Sequence, residues 1–161
     1  MKFLRETSML VSAIELGQVL DTDSEVINNW IRRGIIRRTP IGGRKLRNRL
    51  FSPEEVYKAA LTNELVRLGI PPSPASDAVN ELWKEWDKRS PEGHLYAMLL
   101  PAATKWKVQL CLQLSSAGGL KKIESSETME LPKQAFAVLP ISEVFEHVTM
   151  KLTQIFERSN K

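Results

Sequence analysis

The sequence predicts an α+β protein in which helices come first and strands follow. Three observations carry this. Before Ser90, the patterned segments open on helix-capping signals or repeat apolar residues at three- and four-residue spacing. After it, apolar residues alternate as they do in strands. Two breaks, "GIPPSP" (Gly69 to Pro74) and "SPEG" (Ser90 to Gly93), punctuate the chain. We therefore expect two domains: residues 1–90, mainly helical, and residues 91–161, a small α/β unit with about three strands and a C-terminal helix. Apolar residues make up 42 % of the 161, enough for a packed core.

Each element has its own reason. Ser12 to Leu20 reads as a short helix, followed by a turn at Asp21 and Thr22. Asp23 is an N-cap for a second helix that stops at Gly34. Ser52-Pro53-Glu54-Glu55 opens a third: serine caps, proline takes the first helical position, and Glu55 stands at the capping-box position. That helix runs to Leu68 and ends at Gly69. Ser73-Pro74 opens a fourth, to about Lys88, with Ala75, Ala78, Val79, Leu82 and Trp86 on one face. "HLYAMLL" (His94 to Leu100), "KWKVQLCLQL" (Lys105 to Leu114) and "AFAVLP" (Ala135 to Pro140) read as strands. Ser142 is read as the cap of a last helix to about Arg158. Its seam, Ile141, Phe145, Val148, Leu152 and Ile155, suits either a dimer contact or a cover for the small sheet.

Several classes of function are not expected. No apolar run approaches the roughly 18 residues needed to cross a bilayer, and the N-terminal segment lacks a continuous apolar block and a clear cleavage site. With Cys111 as the only cysteine, an intrachain disulfide is impossible, and a cytoplasmic location is expected. Cys111, His94 and His147 have no metal-ligand spacing. Paired catalytic carboxylates, a nucleophile motif and a phosphate-binding glycine signature are all missing, so neither enzymatic activity nor a cofactor is expected.

Charge is concentrated. Arg32, Arg33, Arg37, Arg38, Arg44, Lys45, Arg47 and Arg49 place +8 between Trp30 and Leu50. The whole chain is +4, so the remainder sums to −4. A basic block on an acidic body points to one localised polyanion site. The ordinary alternative is a solvated charge run. Against it stands a helix–turn–helix pattern in register. Two helices that cross closely need a small residue at the contact, and Gly17 supplies it. The turn between them needs a residue tolerant of a left-handed backbone, and Asp21 lies four positions on. Ile27, six further, and Trp30, three beyond that, face inward. Ser24, Asn28, Asn29, Arg32 and Arg33 are then left facing outward. Asparagine pairs bidentately with adenine, and arginine with guanine or phosphate.

From Gly34 onward, "RGII" (Arg33 to Ile36), a basic glycine-containing loop, "RLF" (Arg49 to Phe51) and "LGI" (Leu68 to Ile70) follow in order. The stretch from about Val11 to Trp86 resembles the winged helix-turn-helix DNA-binding domain of the MerR (mercury-resistance regulator) family and its phage-excisionase relatives. The resemblance implies a two-stranded wing from Arg37 to Arg49, with Arg44, Lys45, Arg47 and Arg49 on DNA backbone and minor groove. Phe51 stands where the family usually has tyrosine. Asn28 and Asn29 stand where it often has arginine and an aromatic residue, so base preference does not carry over. The long dimerising helix and clustered cysteines of metal-sensing members are also missing here.

Together these readings predict a sequence-specific double-stranded DNA-binding transcriptional regulator, nucleoid-associated when bound. It is expected to act as a homodimer whose C-terminal domain dimerises or takes a small-molecule or protein effector. Two alternatives stand beside it: an excisionase-type or architectural recombination accessory protein, and a protein-interaction module using the basic loop.

Overall fold

The computed structural model describes residues 10–39, 50–89, 96–101, 106–114, 120–122, 128–129 and 137–159. Among them the fold is α+β, with helices dominating the first half and a sheet the second. β1 (Val11–Ser12) leads into α1 (Ala13–Val19), then α2 (Ser24–Arg32). β2 (Leu50–Phe51) precedes α3 (Pro53–Arg67) and α4 (Pro72–Arg89). β3 (Tyr96–Pro101), β4 (Trp106–Leu114), β5 (Leu120–Lys122), β6 (Thr128–Met129) and β7 (Ala137–Pro140) then lead into α5 (Ile141–Ser159).

Local chemistry sets the helix starts. Ser12 and Glu15 form a complete capping box at α1: Glu15 N–H donates to Ser12 Oγ (3.3 Å), and Ser12 N–H donates to Glu15 Oε2 (2.7 Å). Asp23 caps α2 as expected, accepting from Glu25 N–H at 2.8 Å. Ser52 caps α3 by accepting from Glu55 N–H at 3.4 Å. The reciprocal half of the expected box is replaced, because Ser52 N–H donates to Thr39 Oγ1 at 2.7 Å. α4 begins at Pro72, before the expected Ser73-Pro74 start. Ala75 N–H bonds back to Pro71 O at 3.0 Å, so Pro72 and Pro74 lie in the first turn, where an N–H would have no intrahelical partner. α5 also starts early, at Ile141, which puts Ser142 inside the first turn and buried instead of at the cap. Glycines in the left-handed region follow two helices: Gly34 at φ +70° after α2 and Gly69 at φ +89° after α3.

Two sheets form. β1 and β2 pair antiparallel, with Val11 opposite Phe51 and Ser12 opposite Leu50. The larger sheet has five strands in the order β6-β5-β4-β3-β7, its described pairings all antiparallel. β3, β4 and β7 are the three strands the sequence predicts. β5 and β6 are additions to the expected three. They are only three and two residues long, too short to show an alternating pattern.

The apolar core takes residues from both sides of residue 90. Val11, Leu16, Ile27, Trp30, Phe51, Leu61, Leu65 and Leu82 are buried together with Leu139, Ile141, Phe145, Val148 and Leu152. The final helix therefore lays its seam on α3 and α1 as well as touching the sheet. Tyr57 of α3 meets Phe145 edge-on at 4.8 Å between ring centroids, and Trp83 of α4 meets it at 6.2 Å. Thr149 gives its hydroxyl proton to Phe145 O (2.7 Å), so Tyr57 Oη is the donor in its 2.8 Å bond to Thr149 Oγ1. No helix among the described residues is long and apolar enough to cross a membrane.

Candidate nucleic-acid interface

The turn between α1 and α2 is built as the sequence requires. A Cβ on Gly17 would stand 2.9 Å from Thr22 O, closer than real Cβ atoms approach backbone. The same glycine's carbonyl accepts from Thr22 N–H at 3.0 Å. Asp21 is the one non-glycine residue at positive φ (+48°) among the described residues. Ile27 and Trp30 bury themselves below, at 0 % and 4 % exposure.

Two neighbouring helices hold this turn. Asn63 of α3 donates to Leu20 O at 3.1 Å, while the Thr22 hydroxyl lies 3.0 Å from Leu20 O and 3.2 Å from Asn63 Oδ1. From α5, Lys151 Nζ reaches Asp21 Oδ1 at 3.0 Å and His147 Nε2 stands 3.5 Å from Oδ2. The Lys151 hydrogen bond, together with the nearby Lys151 and His147, holds the Asp21 carboxyl below its usual range, more than offsetting desolvation.

With Ile27 and Trp30 inward, the 100° advance per residue fixes what faces out. Ser24, Asn28, Asn29, Arg32 and Arg33 are all exposed, as the sequence predicts. Arg32 Nη2 donates to Asn29 Oδ1 at 3.3 Å, so these two side chains are neighbours on one face. The phase also brings in a residue the sequence reading passed over. Glu25 precedes Asn29 by four positions and Arg32 by seven, which puts all three in one stripe opposite the buried side. Glu25 is exposed. Ser24 and Arg33 flank that stripe. The phase set by Ile27 and Trp30 was the signal that could have found Glu25.

Past α2, Ile35 and Ile36 are buried while Arg37 and Arg38 are exposed. Ser76 Oγ donates to Ile35 O at 2.7 Å, which pins this segment to α4. Arg37 lines a cavity of about 110 Å³ with Ile35, Glu55, Lys58, Ser76 and Asn80. Burial there pushes the Glu55 carboxyl up, against the pull of Lys58 and Arg37. Arg44, Lys45, Arg47 and Arg49 lie outside the described residues, and so does most of the expected wing. Its two ends are tied together: Thr39 N–H donates to Leu50 O at 3.1 Å. At the start of α3, Lys58 pairs with Glu54 at 2.6 Å and lies 3.7 Å from Glu55.

Among the described residues, no group of three or more histidine, cysteine or acidic side chains is placed to hold a metal ion. No protein-family model matches the chain, and no curated protein matches it.

Proposed function

We propose that this chain is a sequence-specific double-stranded DNA-binding protein built on a helix–turn–helix, with α2 as the helix that enters the major groove. More particularly, we propose a transcriptional regulator with a MerR-like winged domain, whose basic segment from Arg37 to Arg49 lies on backbone and minor groove. One observation carries this reading. α2 is a short helix locked by Gly17 and Asp21, buried on one side through Ile27 and Trp30, and exposed on the other, where asparagines and arginines are in reach of base edges. Phosphate contacts from the arginines supply affinity, and the outward residues of α2 supply selectivity.

Residues 91–161 serve dimerisation or an effector in this reading. The buried seam of α5 is already filled by α3 and α1, so a homodimer would use other surfaces. Binding-site selection from random duplexes, with the stoichiometry of the complex measured alongside, tests the proposal. A defined motif bound by two chains is expected. Recovery of no motif, with binding equal on all duplexes, would overturn sequence-specific recognition.

A further inference from the structure

We infer that Glu25 is a base-reading residue, accepting a hydrogen bond from an exocyclic amino group, that of cytosine N4 above all; this rests on the DNA-binding reading of α2. Glu25 stands in line with Asn29 and Arg32 on the exposed face, one and two turns before them. Its carboxylate meets no cation among the described residues, and its own N–H is taken by Asp23. A face that only gathers phosphates would gain nothing from a carboxylate at its leading end, because the like charges repel. Over a base edge the balance reverses. Cytosine offers a donor in the major groove that a carboxylate accepts and guanine O6 or thymine O4 cannot supply. Four residues of helix advance about 6 Å, close to two base steps of about 3.4 Å, so Glu25 and Asn29 meet different base pairs.

The competing role is purely structural. An acidic residue in the first turn of α2 stabilises the positive end of the helix dipole. The two roles part on base preference. Binding-site selection would be run on the full chain in three forms: wild type, Glu25→Gln and Glu25→Ala. The expected result is one position of the wild-type motif that demands cytosine and relaxes in Glu25→Ala, with discrimination there falling about fivefold or more. Glu25→Gln should move that position towards adenine, which pairs with an amide. If both variants returned the wild-type motif, with binding merely tighter on every duplex, Glu25 would be a helix-end charge and the inference would fall while the DNA-binding reading stood. A wild type that selects no motif would bring down both.

Discussion

α2 and α5 are both amphipathic helices, yet the molecule treats their faces in opposite ways. α5 fully buries Ile141, Phe145, Val148 and Leu152 and extends through the core of the first half. α2 buries only Ile27 and Trp30 among its nine residues and leaves its polar face exposed. Glu25, Asn29 and Arg32 are all exposed. The difference separates a face that holds the fold together from one that is exposed. Substitutions on the buried face of α5 should cost stability, whereas those on the outer face of α2 should leave stability nearly unchanged.

The largest effect should come from Phe145→Ala. The ring is 1 % exposed and packs on Tyr57 and Trp83. Its loss should lower unfolding free energy by about 3–5 kcal/mol, read by chemical denaturation. Gly17→Ala comes next. The added methyl would lie 2.9 Å from a backbone oxygen, so the α1–α2 crossing must open, at about 1–3 kcal/mol by the same measurement. DNA affinity should fall with it, because the crossing aims α2.

A smaller effect concerns pH. The Glu55 carboxyl titrates above its usual range in the folded chain, chiefly through burial. Below about pH 4 it is protonated whether folded or not and costs nothing. As pH rises from there through its raised value, the fold must keep a partly buried carboxylate, and stability declines. Glu55→Gln should therefore gain stability relative to wild type between about pH 4 and neutral, and lose that advantage in acid. Unfolding curves at several pH values check it. Asp21 works in the opposite sense. Its lowered value gives stability that is present above the ordinary carboxyl range and lost as pH falls through the lowered one.

Much of the first half was legible because its signals are local. Asp23 and Ser52 cap helices, Gly34 and Gly69 take positive φ after them, and Gly17, Asp21, Ile27 and Trp30 occupy the places their spacing assigned. What the sequence left open is nonlocal. The periodicity of α5 marked its buried residues but not their cover, because a seam of the same width fits a partner helix, a sheet or α3. Likewise, nothing near Ser52 in sequence announces that Thr39 takes its N–H. In the candidate site, the outward residues of α2 followed from helical phase. The ties from Asn63 and Lys151 to the turn did not, since they join residues 41 to 130 positions apart.

The outer face of α2 is the centre of the account, and a double substitution tests it most directly. Asn28→Ala with Asn29→Ala should leave the unfolding free energy within about 0.5 kcal/mol of wild type, because both positions are exposed. The same variant should lower the ratio of affinities for selected and scrambled duplexes at least about tenfold. An unchanged ratio in a variant of unchanged stability would contradict the assignment of α2 as the reading helix.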